Sequence, residues 1–303
     1  MTKFKWETKH PASDDIGPLF DVWGSGSCLY AAGGLGMDGV LLRSRGGGAW
    51  EPVDFGESIA GLRGVWGRSA DDLYVTGESG TVRHTSDGGK TWETQETPTS
   101  SCLYKIAGAP DGSIFITQDD GLLRSPDGKT WEEVELEDLY ERLLCLWFGG
   151  NNIVVAAGGG GTVMRSEDGG KTFVEQSTGS SKALCGLWGP SPQELLAVGD
   201  GGTIIATRDG GESWQNVKSN TRQDLEDIAC GAAGELYVVG NGGTILASGD
   251  NGQTWEAHES DTKSHLWAMW RDSSGAWVIS ADDGLIIGSS WFTGGGPKPI
   301  PYF

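Results

Sequence analysis

The feature that most constrains this chain is repetition. An aromatic residue closes a glycine-rich turn at Trp50, Trp92, Trp131, Phe173, Trp214 and Trp255, a recurrence of roughly 41 residues that is the length of one small supersecondary unit. The best turns read TSDGGKTW (Thr85–Trp92), SPDGKTW (Ser125–Trp131), SEDGGKTF (Ser166–Phe173), TRDGGESW (Thr207–Trp214) and SGDNGQTW (Ser248–Trp255). SRGGGAW (Ser44–Trp50) is a decayed copy, with Gly46 where the short copy at Ser125 has Asp127. In each good copy the Asp can accept amides of its own turn, and the glycines tolerate positive φ. The aromatic ring that follows can pin the turn to a core. Asp87, Asp127, Asp168, Asp209 and Asp250, with Trp92, Trp131, Phe173, Trp214 and Trp255, are therefore read as structural.

Two further patterns run in phase with the first. A leading Leu followed three residues later by an apolar residue opens each unit: LFDVW (Leu19–Trp23), LRGVW (Leu62–Trp66), LYKIA (Leu103–Ala107), LLCLW (Leu143–Trp147), LCGLW (Leu184–Trp188), LEDIA (Leu225–Ala229) and LWAMW (Leu266–Trp270). A strand–turn–strand follows, as in Leu195–Thr207 and Leu236–Ser248. Middle strands such as Ile153–Ala157 are apolar on consecutive residues, as a sheet covered on both faces requires. Four short strands per unit, each unit burying both faces on its neighbours, describe the blades of an all-β, seven-bladed propeller of four-stranded antiparallel sheets. The units are 7–50, 51–92, 93–131, 132–173, 174–214, 215–255 and 256–293. The last has no good fourth strand, whereas Trp6-Glu7-Thr8 matches Trp92-Glu93-Thr94. The N-terminal strand, Phe4–Glu7, is thus expected to close the last blade and remove two exposed edges. Residues 1–293 read as one propeller and 294–303 as a Gly/Pro-rich tail, whose apolar end is expected to cross the bottom of the channel or enter a partner's groove. The stretch Leu136–Leu144 is the most helix-like segment and falls in a connection.

A formal charge of −20 excludes a nucleic-acid partner, whose phosphates need a basic surface. The first ten residues lack the apolar run of a signal peptide, and nowhere do about 18 apolar residues run together. Membrane insertion is not expected. The five cysteines, Cys28, Cys102, Cys145, Cys185 and Cys230, are odd in number with no CxxC, as suits a reducing compartment. Cytoplasmic residence is the expectation.

The turn S-x-D-G-G-x-T-W resembles the Asp-box, or BNR, repeat, and the resemblance runs over nearly the whole chain. Families built on it include sialidases, sortilin-type receptors, some xyloglucan-cleaving glycosidases, and propellers similar to the photosystem II stability and assembly factor. The resemblance implies that the box lies on the outer turn between the third and fourth strands, away from the working face. A sialidase would need an arginine triad with an Arg-Ile-Pro signature, yet no arginine here precedes Ile-Pro or Leu-Pro. Arg43, Arg83, Arg124 and Arg165 lie on third strands at the blade periphery. The assembly-factor likeness implies a scaffold role.

Candidate function falls on residues that break the repeat. After the leading Leu the chain runs Phe20, Arg63, Tyr104, Leu144, Cys185, Glu226, Trp267, and one residue later Asp21, Gly64, Lys105, Cys145, Gly186, Asp227, Ala268. These positions sit where the channel meets the top face. Turns between the second and third strands add Glu78, Asp119, Asp120, Asp200, Asp282 and Asp283, with Asn241 in the same place. Recurrence at equivalent turns identifies most of these acids as turn residues. The leading expectation is a non-enzymatic scaffold that binds a protein or peptide, cationic in character, through the acidic face and channel mouth. A glycoside hydrolase would need two carboxylates across a cleft, and Asp21, Asp227 and Glu226 are the candidates. A lectin would use Trp267, Tyr104 and Phe20 as a platform. No cofactor or metal is expected, because His10, His84, His258 and His265 show no ligand spacing.

Overall fold

The computed structural model describes residues 5–13, 15–136, 139, 141–150, 152–272 and 275–290. The tail 294–303 and Asp14 lie outside these residues. So does part of Leu136–Leu144, whose described residues contain no helix.

Seven separate four-stranded sheets form, each antiparallel throughout. Six are meanders of consecutive strands. The seventh pairs the N-terminal strand Lys5–His10 with Ile286–Ser290, the third strand of the last blade. Trp6, opposite Ser289, is 4% exposed within that blade's core. The fold is therefore a seven-bladed β-propeller closed by its N-terminal strand. In the other six blades the fourth strand begins just after the closing aromatic, as Glu93–Thr94 follows Trp92, so these sheets take their outer edge from beyond the glycine-rich turn.

The seven first strands line the centre: Leu19–Ser25, Leu62–Ser69, Leu103–Gly108, Leu143–Gly149, Leu184–Ser191, Leu225–Cys230 and Leu266–Arg271. Each lies beside the next, and the last lies beside the first. The core is divided among blade interfaces. One cluster joins Tyr30, Ala32 and Leu41 of the first blade to Leu62, Val65, Leu73 and Val75 of the second. This is why second strands are apolar on consecutive residues, since one side packs on each neighbour. Close approach of the inner strands depends on a Trp-on-Gly stack. A side chain at Gly108 would meet the Trp66 ring at 2.1 Å, and one at Gly67 would meet Trp23 at 3.0 Å.

The Ser/Thr–Asp turns join third to fourth strands. Asp87 Oδ1 accepts the amides of Lys90 and Thr91 and the Thr85 hydroxyl, while Oδ2 accepts the Thr91 hydroxyl at 2.7 Å. Thr85 Oγ1 also accepts the Gly89 amide. Asp168 repeats this arrangement, and Asp127, Asp209 and Asp250 repeat its chief elements. The donors hold these carboxyls below the usual range, Asp127 and Asp209 at about 2. No helix among the described residues is long and apolar enough to cross a membrane.

Candidate functional site

Every inner strand carries a register shift immediately after its leading Leu. Leu19 pairs with Gly33 while Asp21 pairs with Ala32, so Phe20 is the extra residue. The same shift isolates Arg63, Leu144, Cys185, Glu226 and Trp267, and in the third blade it spans Tyr104 and Lys105. A bulge re-aims the residue it displaces. Here it turns seven unlike side chains toward one cavity of about 390 Å³ at the channel mouth, lined by residues that include Phe20, Arg63, Tyr104, Leu144, Cys185, Glu226 and Trp267.

A second layer comes from the turns after the second strands, which in the second, third and seventh blades meet their own blade's bulge. Glu78 Oε1 takes a 2.8 Å ion pair from Arg63, Asp119 Oδ1 accepts the Tyr104 hydroxyl at 2.6 Å, and Asp282 Oδ1 accepts the Trp267 indole N–H at 2.8 Å. In the fifth blade the bulge residue is Cys185, and the Asp200 carboxylate has no hydrogen-bond or ion-pair partner among the described residues. Burial, followed by the neighbouring Asp224 and Glu226 carboxylates, pushes the Asp200 carboxyl up. In the sixth blade Asn241 occupies the turn, and Glu226 instead pairs with His265 Nε2 at 2.8 Å.

Asp21 and Asp227, at equivalent positions of the first and sixth blades, do something different. Asp21 Oδ1 accepts the amide of Val22 and Oδ2 that of Val65 in the next blade, each at 3.0 Å. Asp227 accepts Ile228 at 2.8 Å and, in the next blade, Met269 at 2.9 Å. Each carboxylate is an inter-blade clip. Lys105 reaches across the mouth to Asp21 at 2.7 Å. Burial works against the Lys105 ammonium, but Asp21 and Asp227 together outweigh it and its pKa rises. Burial pushes the Asp227 carboxyl up to about 6 against the opposing pull of Lys105.

The rings assemble in part. Phe20 and Trp267 meet edge to face at 5.0 Å, His265 stacks flat on Trp267 at 3.8 Å, and the Arg63 guanidinium lies 4.0 Å over Phe20. Tyr104 lines the same cavity but is committed to Asp119 and Arg142. Burial first, and then the Asp119 hydrogen bond, raise the Tyr104 hydroxyl to about 12. Glu78, Asp119 and Asp282 thus stand behind the lining, and Asp120 accepts the Ser101 hydroxyl.

Two mouth residues were not singled out from the sequence, Arg142 and His265. Both occupy the position just before the leading Leu, where the chain runs Pro18, Gly61, Cys102, Arg142, Ala183, Asp224, His265. That position breaks the repeat as strongly as the next one, and this is the signal that marks it. With Arg142 the mouth has three cations rather than two. They fall on the second, third and fourth blades, while Asp200, Glu226 and Asp227 fall on the fifth and sixth. Burial, then the Glu226 charge, raises the Cys185 thiol, and Cys145 is buried and likewise raised. Neither thiol is activated. Among the described residues no group of three His, Cys, Asp or Glu side chains is placed to hold a metal ion.

Fold and site together define a seven-bladed β-propeller with a polar, aromatic-flanked pocket at one end of its channel. Residues 70–185 match the model of the DUF6242 beta propeller domain. A curated relative, the immune protein Tsi7 of Pseudomonas aeruginosa, is 29% identical over 153 residues, which is 48% of this chain and 49% of the relative. The chain thus spans about half the length of the curated relative it matches. Among solved structures, YCF48 bound to D1 peptide aligns with a TM-score of 0.73 and 21% identity over 94% of this chain and 97% of that one. Virginiamycin B lyase from Staphylococcus aureus aligns with a TM-score of 0.82 and 16% identity over 96% and 100%. Likeness at these identities establishes the fold alone.

Proposed function

We propose that this chain is a non-enzymatic scaffold that binds a protein or peptide at its channel mouth. The observation that carries the reading is the ring of bulges. The buried leading Leu before each bulge repeats from blade to blade, whereas the seven displaced side chains differ and share one cavity. A frame that repeats for packing and varies only where it meets the cavity is how a rigid disc acquires specificity. The Phe20–Trp267 pair supplies the rigid apolar contact that anchors interfaces. The likenesses to a YCF48 bound to a peptide and to an immune protein support this class of function.

In this reading the Ser/Thr–Asp turns are Asp-boxes with a stabilising role, the chain works in the cytoplasm, and the acidic surface draws a partner with cationic character. The clips weigh against hydrolysis. Asp21 and Asp227 each spend both oxygens on backbone amides, where a general acid and base need a free edge toward substrate.

The test has two stages. Immobilised protein is used to recover a partner from native lysate, and the purified partner is then titrated against wild type, Trp267→Ala and Asp87→Ala. A loss of about tenfold in affinity for Trp267→Ala, equal to about 1.4 kcal/mol, with no loss for Asp87→Ala, supports the mouth as the binding surface. Equal affinity for all three removes it.

A further inference from the structure

Most of the charges at the mouth are answered from within. Arg63 is held by Glu78, Lys105 by Asp21, and Glu226 by His265. Two opposite charges are not. The Asp200 carboxylate, on the fifth blade, receives no donor among the described residues, because the bulge position that would supply one holds Cys185. Arg142, at the entrance to the fourth blade, stands beside the Tyr104 hydroxyl, feels the Asp119 carboxylate behind it, and makes no ion pair among the described residues. Both line the same cavity, on adjacent blades, and among the described residues they act on one another through space without forming an ion pair. Glu226 lines the cavity beside Asp200, and Asp224, outside the lining, also acts on Asp200 by its charge while its Oδ1 accepts the Gly201 amide at 2.7 Å. Lys182 and Arg142 act on the Asp200 carboxylate from a distance, but burial and the two neighbouring carboxylates outweigh them and leave it raised, an imbalance that a cation seated directly on it relieves.

We infer that the mouth takes a dipolar segment of its partner, with a lysine or arginine side chain seated on Asp200 beside Glu226 and an acidic side chain a few residues away on Arg142. This rests on the scaffold reading and narrows it. The partner is selected by a closely spaced pair of opposite charges, rather than by overall positive charge. Charge complementarity on this scale selects partners more than it adds raw affinity. A purely cationic segment leaves Arg142 unanswered and is repelled by it, and a purely acidic one meets Asp200.

The probes are three terminally blocked tripeptides, Glu-Gly-Arg, Gln-Gly-Arg and Glu-Gly-Gln, titrated calorimetrically at low salt against wild type, Asp200→Asn and Arg142→Gln. Circular dichroism and Tm controls establish that each variant is folded. The expected result is that Glu-Gly-Arg binds wild type at least about fivefold more tightly than either single-charge peptide. Asp200→Asn should erase the advantage conferred by Arg, Arg142→Gln that conferred by Glu, and about 0.5 M salt should abolish both by screening. Equal binding of the three peptides, no binding of any, or an order unchanged in both variants would overturn the inference. If any of these holds while Trp267→Ala still abolishes partner binding, only the dipolar selection falls. If Trp267→Ala has no effect on the partner, the scaffold reading falls first.

Discussion

Asp21 Oδ2 accepts the backbone amide of Val65 at 3.0 Å, so a side chain of the first blade holds the main chain of the second. Its other oxygen receives Val22, and Lys105 of the third blade closes on it at 2.7 Å. One carboxylate, 2% exposed, thereby ties three blades together at the rim of the channel.

Asp21→Ala leaves two amides without an acceptor and Lys105 without its counter-ion. Leaving a buried donor without its acceptor costs about 1–3 kcal/mol, and loss of the ion pair adds little because the Lys105 side chain is 38% exposed. Urea denaturation should show a lower midpoint with an unchanged slope. A loss below about 1 kcal/mol would mean that water replaces the clip without penalty.

Asp227 makes a pH-dependent contribution of definite sign. Its carboxyl is raised in the fold to about 6 from 3.8, so between those values the folded chain binds more protons than the unfolded one. Stability then falls as pH rises from about 4 to about 6. Comparing Tm for wild type and Asp227→Asn across this range isolates the effect. The gap between the two proteins should move in favour of the variant as pH rises, and a gap constant with pH would contradict the assignment.

The Ser/Thr–Asp turns behave oppositely and in a lower window. Hydrogen bonds from Thr130 and Lys129 amides hold Asp127 at about 2, so its contribution is complete above the ordinary carboxyl value near 4 and is lost as pH falls through about 2. Asp87→Ala and Asp127→Ala should each lower Tm at pH 7, the difference from wild type shrinking in acid. Neither should alter affinity at the mouth, which the partner titration measures directly.

Closure by the N-terminal strand is tested at Trp6. Trp6→Ala removes a ring that is 4% exposed in the last blade, a change that costs about 3–5 kcal/mol in a core that cannot collapse around the void. Deleting residues 5–10 should do more, because it bares the edge Ile286–Ser290. Size-exclusion chromatography should then show self-association.

The architecture was legible because packing forces it to repeat. The leading Leu of every blade is fully buried, from Leu19 to Leu266, and such positions announce themselves at fixed spacing. The mouth was partly legible for the converse reason, since residues free of packing constraint vary. Phe20, Arg63, Tyr104, Glu226 and Trp267 stood out in this way. What could not be read was which acid meets which donor. Asp119 and Asp200 are equivalent in sequence, but one finds the Tyr104 hydroxyl and the other faces Cys185. Nor does an Asp beside a Glu, as at Glu226-Asp227, reveal that one carboxylate turns to His265 and the other to the next blade's backbone. These outcomes depend on the bulge, which offsets side chains by one register step.

The strand pairing that seals the ring joins Lys5–His10 to Ile286–Ser290, segments that leave the ribosome nearly a full chain length apart. Throughout synthesis the early strand has no mate, and six blades can stack into an open arc before the seventh is finished. Contacts of such long sequence separation are slow to form, so sealing is expected to come last. An open arc offers a lone strand at one end and a three-stranded blade at the other, so two arcs held close together can exchange ends. Refolding at rising protein concentration is therefore expected to give a growing swapped fraction, read by size-exclusion chromatography.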